Sequence, residues 1–148
     1  MAESTPRRQL LNAFATLLRG IATSAGYRTN IGAVVTLEPG QLDPSQVDDG
    51  LAIYIDAQAR ATDAAVVRTH RLTTVALVVK RTTQCAAETT LDDVLDDIER
   101  ALLNRQPSWP AGFGQPTYQS MEPLRAPAGA DWIGAIVRYT SHIPVVTR

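Results

Sequence analysis

Two histidines, one cysteine and a run of aspartates are the residues in this chain whose types invite a search for chemistry. His70 and His142 are distant in sequence and lie in strand-like segments. Neither has a second His or a Cys at metal-ligand spacing, so the pattern points to no zinc site. Cys85 follows Gln84 in a polar linker. A thiol becomes a nucleophile when a base or a positive environment draws off its proton, and nothing local supplies one. Asp92, Asp93, Asp96 and Asp97 could be drawn as a Mg²⁺ site. Their i, i+1, i+4, i+5 spacing instead places all four on the solvent side of a helix, a solvated acidic face. Gly112-Phe113-Gly114 runs into Gln115-Pro116 with no lysine and no helix start, so it is no phosphate loop. There is no Gly-x-Ser-x-Gly elbow. The expectation is a protein without catalytic residues, metal or cofactor, hence not an enzyme.

Composition is that of an ordinary soluble globular fold. The chain has 148 residues, 45% hydrophobic and 20% charged, the range of one soluble globular domain spanning residues 1–148. Net charge is −1, without the basic footprint of a general nucleic-acid binder. Lys80 is the one lysine among 14 basic residues. The single cysteine excludes an internal disulfide and fits a reducing compartment. No run approaches the roughly 18 apolar residues of a membrane span, and Met1 to Pro6 has no apolar leader core. The eight aromatics are scattered, with Trp109 and Trp132 read as core or loop anchors.

These residues must be placed by two helices and five strands. Ser4 or Thr5 caps a first helix with Pro6 in its first turn. Leu10, Leu11, Phe14, Leu17, Leu18, Ile21, Ala22 and Ala25 form its apolar face, and Gly26 stops it. Tyr27 to Thr36 reads as a strand, and Leu37 to Gly50 as a loop. Leu51 to Gln58 and Val66 to Arg81 are strands, the second long enough to bend or project. A helix starts at Thr89 or Thr90, with Thr90 and Asp93 as a capping box. Its buried stripe is Leu91, Val94, Leu95, Ile98, Ala101 and Leu102. Gln106 to Pro116 is irregular, Pro116 to Leu124 a weak strand, Arg125 to Gly129 a turn, and Trp132 to Ile143 a strand. The order α-β-β-β-α-β-β with short connections predicts an α+β fold, two helices on a mostly antiparallel sheet of four to five strands.

Over Val75 to Val79 and Ile133 to Val137 both alternating sets are apolar, so both faces need cover. One helix on each face, or a folded-over loop, meets that need. If both helices share a face, a partner subunit or the long loops must meet it instead. Arg68, His70 and Arg71 charge the start of the third strand, either as a solvated edge or as a contact arm. The candidate interface residues are thus Arg68, His70 and Arg71 on one surface and Asp92, Asp93, Asp96 and Asp97 on another. Paired charge reversal at Asp96 and Asp97, or at Arg68 and Arg71, is expected to weaken assembly.

The arrangement resembles the tail terminator (tail completion) proteins of long-tailed bacteriophages. The resemblance rests on the helix closing in Gly26-Tyr27, the acidic helix ending Arg100-Ala101-Leu102, the Pro/Gly segment after it and the final strand with Arg138-Tyr139. It implies a structural role. Such proteins form a hexameric ring on the end of the tail tube, halt its polymerisation and present a surface to the head-side connector or neck protein. DNA crosses the channel without sequence-specific binding. The implied partners are further copies of this chain, the tube protein and the connector, with no membrane. The implied location is the virion tail, assembled in the host bacterial cytoplasm. No catalytic residue carries over from the family. A neck, connector or other tail assembly protein is the nearer alternative. A small oligomeric ligand-binding or enzymatic domain, using Tyr54, Asp56, His70 and His142, is the more distant one.

Overall fold

The computed structural model describes residues 4–38, 49–83, 86–103, 105–125 and 131–146. The elements follow in the expected order α-β-β-β-α-β-β, and the class is α+β. Helix α1 spans Pro6–Arg19, and Thr5 caps it by accepting the Arg8 N–H at 3.3 Å. Leu10, Phe14 and Leu18 are fully buried along one face. The helix ends earlier than its apolar period suggests. Gly20 N–H bonds back to Leu17 O at 3.2 Å, and the Asn30 side chain accepts the Thr23 N–H at 2.9 Å. The chain is drawn into a separate 3₁₀ turn, Thr23–Ala25, and Gly26 closes that turn with φ +91°. Ile21 stays in the core while Ala25 is exposed.

The strand expected over Tyr27 to Thr36 shrinks to β1, Val35–Thr36. Arg28 and Thr29 give their N–H groups to a side chain of the second helix, and Ile31–Ala33 forms another 3₁₀ turn. Gly32 seats this turn against the end of α1, donating its N–H to Ile21 O at 3.2 Å. A β-carbon there would lie 2.6 Å from Leu18 O and 2.7 Å from Ile21 O. Gly32→Ala is therefore expected to cost about 1–3 kcal/mol through overpacking against backbone that cannot swing away. A lower urea midpoint with an unchanged m-value would register it.

Strand β2, Gly50–Arg60, pairs antiparallel with β3, His70–Thr82. Strand β3 starts later than expected. Asp63 caps a 3₁₀ turn over Ala64–Val66 by accepting the Ala65 N–H at 3.0 Å, so Arg68 lies in the connecting turn and not in the strand. Helix α2 spans Ala87–Leu102. It begins before Thr89, from Ala86 in the left-handed region at φ +56°. Thr90 already donates its N–H to Ala86 O within the first turn, so the Thr90–Asp93 capping box does not form. Strands β4, Thr117–Arg125, and β5, Trp132–Pro144, complete a sheet ordered β1-β2-β3-β5-β4, antiparallel except for the β1–β2 pair.

Register explains the core. Leu51, Val79 and Ala135 align across β2, β3 and β5, as do Ile53, Leu77 and Val137. These rungs face the apolar sides of α1 and α2, which touch each other, so both helices lie on one face of the sheet. Strand β4 forms the far edge, and its register slips between Tyr118 and Ser120. Cys85, most of the expected loop (residues 39–48) and nearly all of the expected turn (residues 126–129) lie outside the described residues. Among the described residues, no helix is long and apolar enough to cross a membrane.

Candidate functional site

The acidic helix divides into surface and interior. Asp92 is exposed, Asp93 and Asp96 are half-buried, and Asp97 is fully buried. The expected four-residue solvent face is thus corrected at Asp97. Its carboxylate accepts the Arg28 N–H at 2.9 Å, the Thr29 N–H at 2.7 Å and the Thr29 hydroxyl at 2.7 Å. Arg28 Nε bonds Asp96 at 3.1 Å, which raises the guanidinium pKa further above its ordinary value. Arg100 stacks 5.1 Å over the Tyr27 ring. The Gly26-Tyr27 corner and the Arg100 end of α2 thus meet in space and fasten the fold. Asp97 cannot serve as a surface contact, because its oxygens are spent inside.

The basic residues occupy the opposite kind of ground. Arg68 and Arg71 are exposed, and neither forms an ion pair among the described residues. His70 sits between them, half-buried. Its Nε2 lies 3.0 Å from Gly112 O, and a carbonyl can only accept, so Nε2 carries the proton. Nδ1 then accepts the Thr69 hydroxyl at 2.8 Å. His142 Nε2 accepts the Thr62 N–H at 3.2 Å. Both imidazoles are committed to holding loops. Among the described residues no cluster of three or more His, Asp, Glu or Cys groups is disposed to ligate a metal.

Arg68 and His70 border an open cleft of about 1060 Å³. Its floor and walls are largely apolar, from Pro110, Phe113, Pro144, Val145 and Val146. Val145 and Val146 are 46% and 67% exposed. Strand ends, the segment after Trp109 and the start of α1 build this cleft together. Ser141 Oγ–H donates to Gly114 O, and Gly114 N–H donates to His142 O at 2.8 Å, fastening the segment to β5.

A second apolar surface runs between α2 and edge strand β4. Leu103, Tyr118 and Met121 are its exposed members, beside the exposed carboxylate of Glu99. Tyr139 lies beneath them, and burial pushes its hydroxyl pKa well above the ordinary tyrosine value, with Glu99 adding to the shift. The sequence reading passed over this groove. The slip between Tyr118 and Ser120 puts Tyr118 and Met121, three apart, on the same face, and strict alternation hides such a pair.

The sheet face away from the helices carries the remaining features. Ala52, Tyr54, Ala76, Val78 and Ile136 fall on it by register. Arg138 bridges its strands, bonding Asp56 at 3.0 Å and Glu122 at 3.4 Å. Hydrogen bonding to Asp56 raises the Arg138 pKa above its ordinary value. Asp56 is thereby engaged, and Tyr54, Asp56, His70 and His142 do not form one polar pocket. Tyr54 and Val78 remain half-buried, and no helix among the described residues covers them. No protein-family model matches the chain, and no curated protein matches it.

Proposed function

We propose that this protein is a phage tail terminator. It assembles as a ring of identical subunits on the end of the tail tube, stops tube growth and offers the joining surface to the head-side connector. The observation that carries this reading is the one-sided layering: both helices sit on one face of the sheet, and the other face carries Val78 and Ile136 without helical cover among the described residues. An antiparallel sheet can leave one face to solvent, but apolar side chains on that face are ground a neighbouring copy can bury. Unlike surfaces on one chain can then close a ring. In this reading the chain acts in the virion tail after assembly in the host cytoplasm, and DNA passes the ring without base readout.

The test is electron microscopy of growing tail tubes with and without the purified protein. Six-fold rings at tube ends and a fixed tube length are expected with it. Tubes that keep elongating beside the free protein would remove the proposal.

A further inference from the structure

The described chain shows six large apolar side chains at least a third exposed, and five of them fall into two patches. One patch is Leu103, Tyr118 and Met121 in the α2–β4 groove. The other is Val145 and Val146 at the mouth of the cleft. Scattered single apolar residues are ordinary on a soluble surface, but grouped ones mark contact sites. Each group also has one charge beside it. Glu99 borders the first and Arg68 borders the second. Both are exposed, and neither forms a hydrogen bond or ion pair among the described residues. The two surfaces are therefore matched: apolar centre against apolar centre, free carboxylate against free guanidinium.

We infer that the α2–β4 groove of one copy of this chain docks onto the Arg68 cleft of a second copy. The occupant is argued from that complementarity. An acidic partner would suit the cleft alone and a basic one the groove alone, whereas another copy satisfies both with the same contact. The shapes suit each other, because Leu103, at 65% exposed, projects beside the groove and the cleft has open volume lined by Phe113 and Pro144. An apolar centre with a charged rim is the ordinary anatomy of a protein interface. The desolvated centre supplies affinity, and the Glu99–Arg68 pair sets orientation. This relocates the acidic half of the contact from the Asp92–Asp97 stretch to the next turn of α2, where the carboxylate has no internal duty. The inference rests on the ring reading only in requiring self-association, and its test is separate from tube capping.

The test is a charge swap followed by analytical ultracentrifugation over a wide concentration range. Glu99→Arg and Arg68→Glu each place like charges together and should weaken self-association by about tenfold or more. Mixing the two variants in equal amounts restores opposite charges at every contact between unlike copies. The altered groove of the first then meets the altered cleft of the second, and the unaltered groove meets the unaltered cleft. Association should recover to within about threefold of the unmodified protein. The double variant should recover likewise. Leu103→Asp should weaken association with no charge rescue. Circular dichroism confirms that these exposed substitutions leave the fold intact. Unmodified protein that stays monomeric at millimolar concentration, single reversals that change nothing, or mixtures that fail to recover would each overturn the inference. Charge-swapped rescue without tube capping would leave it standing and remove the terminator reading. Capping by a protein insensitive to the swap would do the reverse.

Discussion

Asp97→Ala is expected to destabilise the fold by about 3–5 kcal/mol, since each buried donor left without its acceptor costs about 1–3 kcal/mol. The cause is the three groups left behind. The Arg28 and Thr29 N–H groups and the Thr29 hydroxyl all point at the carboxylate, from 2.7 to 2.9 Å. Thr29 is itself buried, so water cannot replace the lost acceptor without opening the corner. The segment from Gly26 to Ile31 would lose its buried tie to α2, leaving the exposed Arg28–Asp96 pair and the Arg100–Tyr27 stack to hold it. Since small domains are stable by only about 5–15 kcal/mol, the loss shows directly in the urea midpoint. Asp92→Ala on the same helix, exposed and without a partner among the described residues, should stay within about 0.5 kcal/mol. Equal effects at the two positions would contradict the clamp. Asp97→Asn is a second control. It keeps one acceptor oxygen but turns an NH₂ toward at least one backbone N–H, which only donates, so it should recover only part of the loss.

The same aspartate shows where sequence reading reaches its limit. The stripe Leu91, Val94, Leu95, Ile98, Ala101 and Leu102 was legible because burial follows the helical period: five are buried and Leu95, at its margin, is half-buried. A carboxylate beside that stripe reads as solvated unless one knows that two backbone N–H groups, distant in sequence, will turn toward it. The strand expected over Tyr27 to Thr36 failed for the same reason. Its β-branched residues favour extension, but their N–H groups are claimed by Asp97 and by the turn at Gly32, and tertiary hydrogen bonding overrides local preference. The long third strand was legible in its core, Val75 to Val79, and not at its start, where a side-chain cap from Asp63 bends the chain. Surface sites fared less well. Arg68 could be singled out by charge and lies on a cleft. Its match at Glu99 could not, because the apolar setting that makes Glu99 distinctive is assembled from α2 and a slipped edge strand.

Phe14→Ala is expected to cost about 3–5 kcal/mol, as for a fully buried aromatic cut to a methyl group. Its consequences should not be uniform. The Phe14 ring lies 4.9 Å from Trp109 and 6.1 Å from Tyr139, and Tyr139 lies 5.7 Å from Tyr118. This chain of rings joins α1 both to the segment that lines the cleft and to the edge strand that borders the groove. Trp109 depends on it most. Its Nε1 is buried with no hydrogen-bond partner among the described residues, so packing alone holds the indole. Without Phe14 the indole gains room to move toward water, where its N–H can bond. The segment from Pro110 to Gly114 should then loosen beyond what the global loss of stability explains. Hydrogen exchange at the Gly114 amide, which donates to His142 O, reads this directly. It should exchange faster than amides of β3 by a factor larger than in the unmodified protein. Phe14→Leu, which keeps most of the volume, should cost under about 1.5 kcal/mol and leave the Gly114 amide protected. If Gly114 and the β3 amides change in step in the alanine variant, the cleft is held by its hydrogen bonds to β5 and not by the stacked rings.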